Sequence, residues 1–115
     1  MKLTEHFTLE EMMRSETAQK RKIDNRITAA EADNLQRLCR EVLEPLREHF
    51  GAPIRINSGF RCKELNKAVG GAPTSYHTQG RAADIPMRPG YLAYIRDHLP
   101  HTELINEGTW IHVAL

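Results

Sequence analysis

The sequence predicts an α+β fold in which N-terminal helices pack on a small, mainly antiparallel sheet. Three observations carry this. Two capping boxes lie in the first third of the chain, an apolar stripe of helical period follows the second, and two β-rich runs flank Gly108-Thr109 near the end. At 115 residues, one domain over 1–115 with a single core is expected.

Thr8 followed by L-E-E-M-M reads as an N-cap and a short helix, with Glu11 completing the box. Gln19 to Arg26 is polar, basic and aperiodic, and is expected to be a loop. Its Lys20-Arg21-Lys22 run reads as a solvated surface. Thr28 and Glu31 open the longest helix, to about His49, with Gly51 just past its end. Leu35, Leu38, Cys39, Val42 and Leu46 form its core-facing stripe, and Pro45 predicts a kink. Pro53 to Asn57 reads as a short strand, and Arg61 to Ala68 as a short helix stopped by Gly70-Gly71. Residues 72–80 are expected to be loop, Arg81 to Pro86 strand, and Tyr91 to Leu99 helix, with Pro89 in its first turn. Glu103–Glu107 and Trp110–Leu115 then form a hairpin, Gly108-Thr109 suiting a type II′ turn.

Composition excludes several classes. The net charge of +1 gives no field that would gather nucleic acid or an anionic membrane surface. No apolar run approaches the ~20 residues of a membrane span, and the N-terminus lacks a secretory apolar segment, so a cytoplasmic start is expected. Cys39 and Cys62 lack C-x-x-C spacing, so neither a thiolate metal site nor a redox pair is signalled. Cys39 reads as a small buried hydrophobe. A monomer is expected.

Hairpin geometry groups the polar residues. Side chains alternate along a strand, so Ile111, Val113 and Leu115 face the core while Trp110, His112 and Ala114 face away. Glu107 is then the diagonal neighbour of His112, roughly 7 Å away between α-carbons. The same alternation in R-A-A-D-I points Ile85 inward and Asp84 outward. His77 lies in the preceding loop, which Gly80 can turn back over the sheet. Two imidazoles and one carboxylate are a common catalytic zinc set, with water in the fourth position. Spacing alone leaves the alternative open: Asp84 as a strand-end cap, and Trp110 as core or rim. His6, His49, His98 and His101 read as surface residues.

The wider pattern is more specific. I-R-I-N-S-G-F-R, L-N-K-A-V-G-G, S-Y-H-T-Q-G-R-A-A-D-I and W-I-H-V resemble the M15 family of zinc D-amino-acid-specific peptidases. Within it they most resemble the branch named for its D-alanyl-D-alanine carboxypeptidase domain. F-T-L-E-E-M, S-E-T-A and V-L-E-P-L-R extend the likeness over nearly the whole chain. The resemblance implies the Hedgehog/DD-peptidase fold and cleavage of peptidoglycan stem peptides, by a D,D-carboxypeptidase or an endolysin-type endopeptidase. It implies His77, Asp84 and His112 as zinc ligands, Arg61 as the group facing developing negative charge or a substrate carboxylate, and Glu107 as general base.

Ser75, Gln79 and Trp110 are further candidates for substrate contact, a loop-stabilising role being equally open for the first two. In the dipeptidase branch the catalytic glutamate lies three residues before the last histidine, whereas Glu107 lies five before His112, so Glu103 is the reserve candidate. Cys62 stands where serine is common, and no chemical role is expected of it. The rival reading is a non-catalytic zinc-binding cell-wall or phage module of the same fold. A chain without a leader that acts on the wall after release would suit a phage or prophage enzyme.

Overall fold

Thr8 and Thr28 each close a reciprocal cap with the glutamate three residues on. The computed structural model describes residues 1–115 and is α+β. Helix α1 (Leu9–Met13) is followed by α2 (Glu16–Arg21), where a loop was expected over residues 19–26. The reason is local: Ser15 accepts the Ala18 N–H as an N-cap, and Lys22 ends the helix in the left-handed conformation. With its apolar stripe only one residue deep, at Ala18, such a helix leaves no periodic signal.

The long helix is present but divided into α3 (Ala29–Leu38), a π-turn (Cys39–Leu43) and α4 (Glu44–Phe50). The expected kink is thus a widened turn just before Pro45. Proline offers no N–H to the carbonyl four residues back, and the ladder shifts to i→i+5 bonds, with the Glu44 N–H donating to the Cys39 carbonyl. Leu35, Leu38, Cys39, Val42 and Leu46 are all fully buried. They pack in one cluster with Ile85, Ile95, Ile111 and Val113, each large side chain contributing about 1.5–3 kcal/mol relative to exposure. Both cysteines are free, and burial first, then Glu11 and Glu44, push the Cys39 thiol up to about 12, so it is inert.

Pro53 to Asn57 is extended but is not a strand. Only Ser58 bridges to the sheet, at Asp84, before the chain turns through Gly59 so that the Phe60 N–H can reach the Met12 carbonyl. Helix α5 begins at Lys63 rather than Arg61 and ends at Ala68, because Cys62 is its N-cap, Sγ accepting the Leu65 N–H at 3.4 Å. That is a task a serine would also perform, and it frees Arg61 to point elsewhere. Within the expected loop 72–80 lies one 3₁₀ turn, Tyr76–Gln79.

The sheet holds β1 (Ala82–Pro86), β2 (Glu103–Asn106) and β3 (Trp110–Ala114) in the order β1-β3-β2, antiparallel throughout. Helix α6 (Tyr91–His98) is capped by Gly90 in the left-handed region, which leaves Pro89 outside it. Gly108 alone of the hairpin loop has positive φ, as a type II′ turn requires. No helix is long and apolar enough to cross a membrane.

Gly80 couples the two layers. Its φ is +72°, and a Cβ there would overlap the Glu31 carbonyl in the first turn of α3. Asn34 Nδ2 donates to the neighbouring Gln79 carbonyl at 2.8 Å, so the turn that carries His77 is seated directly on α3. Gly80→Ala is expected to destabilise the protein by about 2 kcal/mol or more. Thermal melting checks this, and an unchanged midpoint would mean that the turn is not seated there.

Candidate metal centre

Asp84 and His112 face each other across β1 and β3. The Leu115 N–H donates to Arg81 O and the Met87 N–H to Thr109 O, which makes the pair between them a non-hydrogen-bonded one. In such a pair the α-carbons approach to about 4.5 Å and the side chains stand close. The backbone of Asp84 is also held on its other edge, its N–H donating to Ser58 O and its carbonyl accepting the Asn57 N–H, both at 2.8 Å. His77 is brought over this pair by the 3₁₀ turn, where Ser75 Oγ accepts the His77 N–H.

Asp84 Oδ1 lies 3.2 Å from His77 Nε2 and 3.0 Å from His112 Nδ1. Asp84 Oδ2 lies 3.5 Å from Arg61 Nη2. Each ring has an acceptor at its far nitrogen: the Gly59 carbonyl is 2.7 Å from His77 Nδ1, and Glu103 Oε1 is 2.8 Å from His112 Nε2. A carbonyl can only accept, so His77 Nδ1 carries a proton, and Nε2 is the nitrogen that would offer a lone pair to a metal ion in place of its proton to Asp84. Glu103 favours the opposite tautomer in His112, leaving Nδ1 for the site. His77 is 2 % exposed, which removes water as a competitor for these contacts.

Arg61 is held at three nitrogens. Nε donates to Ser58 Oγ at 3.0 Å, Nη1 to Asn66 Oδ1 at 3.1 Å, and Nη2 approaches Asp84. Asn66 is buried and its amide also donates to Ala72 O at 2.8 Å, so one side chain ties α5 and the following loop to the guanidinium. These groups line a groove of about 490 Å³. Glu103, Glu107, Trp110 and His112 line it from the hairpin, and Arg61 with residues 69–72 from the segments before and after α5.

A family model described as Peptidase M15 matches residues 5–114. The chain belongs to the peptidase M15 family. No match is found among curated proteins. Membership makes it a metallopeptidase acting on peptide bonds.

M15 peptidases are zinc-dependent, and the donors of this M15 chain fit that ion. Its three donor atoms all lie within 4.8 Å of one another. Tetrahedral zinc, with bonds of ~2.0–2.1 Å, sets its ligand atoms about 3.4 Å apart. The two aspartate–histidine separations, 3.2 and 3.0 Å, are already near that. The residues also match in charge. Burial alone would raise the Asp84 carboxyl, but hydrogen bonds from His112 and His77, and their charge, hold it well below the usual range. His112 is raised, first by its hydrogen bond to Asp84, against burial, and further by Glu103. Burial lowers Arg61, with Asp84 opposing.

Of the residues singled out in the sequence, His77, Asp84, His112, Arg61, Glu107, Glu103, Ser75 and Trp110 line the groove together. Gln79 does not; its side-chain oxygen accepts from Arg81 Nη1 at 3.3 Å. Glu103 in β2 and Glu107 just past its end both line the groove, but only Glu103 touches His112. Asn66 and the Gly59 carbonyl were not anticipated. Asn66 could have been noticed as a polar residue beside Leu65 on a short helix; a backbone acceptor leaves no mark in a sequence.

In the metal-free protein, Asp84→Ala leaves a guanidinium and two imidazoles without their shared acceptor, at an expected cost of about 3 kcal/mol near neutral pH. The sign with pH follows from both shifts. The His112 part is complete below its ordinary 6.5 and is lost as pH rises through its raised native value. The Asp84 part is complete above its ordinary 3.8 and is lost as pH falls through its lowered one. Urea unfolding of both metal-free proteins should therefore show the largest difference between these two values. A difference that keeps growing above pH 8 would contradict the arrangement.

Proposed function

We propose that this chain is a zinc peptidase of bacterial cell-wall peptides, cleaving D-amino-acid-containing stem peptides of peptidoglycan, with Glu107 as general base. The observation that carries the reading is an open donor set beside an anchored arginine and a spare carboxylate. The metal group has three protein donors and no fourth, whereas a purely structural zinc is normally closed by four. That favours hydrolysis over a non-catalytic module.

His77 Nε2, Asp84 and His112 Nδ1 would hold the zinc. Bound there, it would supply a Lewis acid and bring the pKa of water to roughly 7. The remaining steps belong to the protein. Glu107 lines the groove with its side chain exposed and without an ion-pair partner, so it can take a proton from the attacking water and pass it to the leaving amine. Glu103 is engaged by His112 Nε2, which supports it as the residue that orients this ring and leaves Glu107 the base. Arg61, fixed by Ser58 and Asn66, directs its guanidinium at the same groove and would donate to the oxygen that gains charge. Trp110 and Ser75 line the same groove and would contact the peptide.

Glu107→Gln should keep stoichiometric zinc and lose about 10²–10⁴-fold in turnover of purified muropeptides. Arg61→Ala should cost on the order of 3 kcal/mol in kcat/KM. Mass spectrometry of the digest names the cut bond through its new amine termini. A chelator should abolish cleavage, and Glu107→Gln working at the parental rate would move the base elsewhere.

A further inference from the structure

A second groove lies on the far side of Arg61. It has a volume of about 570 Å³ and is walled by the segment entering α2, by residues 55–58 and by α5. Arg61 and Val69 line both grooves, so the two adjoin at those side chains. The second groove is lined by three arginines, Arg14, Arg55 and Arg61, and one acidic residue, Glu16. The catalytic groove has the opposite balance, with Arg61 against Asp84, Glu103 and Glu107.

The arginines differ in how far they are committed. All three nitrogens of Arg61 face acceptors in the chain. Arg14 and Arg55 are exposed and form no ion pair; every acid that is paired is bonded to another residue. Two unpaired planar cations in one concave site suit a carboxylate, which a guanidinium binds through two parallel bonds. Val69, exposed at the edge of this groove, supplies apolar surface beside them.

We propose that Arg14 and Arg55 form a substrate subsite for a free carboxylate of the peptide, away from the scissile bond and reached by laying the chain across Arg61. This deepens the peptidase reading and rests on it. The enzyme would then prefer stem peptides whose acidic groups are free over those in which they are amidated.

The test is binding, kept apart from cleavage. Zinc-loaded Glu107→Gln protein is titrated calorimetrically with one stem pentapeptide in two forms, its glutamate and terminal carboxylates either free or both amidated. The free acid should bind about tenfold more tightly. In an added Arg14→Gln, Arg55→Gln pair that preference should fall to about twofold or less, and Arg14→Lys, Arg55→Lys should restore part of it, which a merely structural role would not do. Both arginines are exposed, and matching melting midpoints confirm that the fold is kept. Equal affinity for the two peptides in the parent, or a preference that survives the double glutamine change, overturns the subsite. Failure of the zinc-loaded parent to cleave either peptide would instead sink the peptidase reading, since the titration stands without turnover.

Discussion

One carboxylate serving two imidazoles and a guanidinium is the constraint on which the rest of the groove depends. Asp84 sits on a sheet edge where it is 13 % exposed as a side chain, and an ionised carboxylate so placed would be costly if left alone. It is not alone, because three cationic or protonatable groups converge on it from three separate segments: residue 61, the 3₁₀ turn and β3. The same convergence explains why the site is suited to a cation. Once the two rings give up the protons they share with Asp84, their lone pairs and the carboxylate would leave a small volume of negative potential that a divalent ion can fill.

Placement on rigid elements gives this convergence its precision. Asp84 and His112 belong to adjacent strands in fixed register, and Ser58 holds the outer edge of Asp84. His77 is on a loop, but the loop is seated on α3 through Gly80 and Asn34, and its ring is pinned by the Gly59 carbonyl. Arg61 is fixed by Ser58 and Asn66 rather than by the metal group alone. Such supporting contacts set how closely a constellation keeps its productive geometry. Glu107, by contrast, is free of side-chain partners, as would suit the proton-transfer role proposed for it.

Much of this was legible in the sequence, for identifiable reasons. The capping boxes at Thr8 and Thr28, the stripe from Leu35 to Leu46 and the Gly108-Thr109 hairpin are local patterns with one physical solution each, and they are found. Strand alternation sufficed to put Asp84 and His112 on the same face. What was not legible depends on tertiary contacts. Pro53 to Asn57 has strand composition but only the following Ser58 forms a bridge, because Gly59 must turn the chain toward Met12. Helix α2 rests on a cap and few apolar residues, and the start of α5 moved because a cysteine capped it. Glu103 and Glu107 are equivalent by alternation, and only the side-chain contact with His112 distinguishes them.

X-ray absorption at the zinc edge of the metal-replete protein tests the central claim most directly, since it reads the ligand atoms rather than their consequences. The expected spectrum has two imidazole nitrogens and light oxygen donors at ~2.0–2.1 Å, with no sulfur shell. A spectrum with sulfur at about 2.3 Å, or with fewer than two imidazoles, would contradict binding by His77, Asp84 and His112.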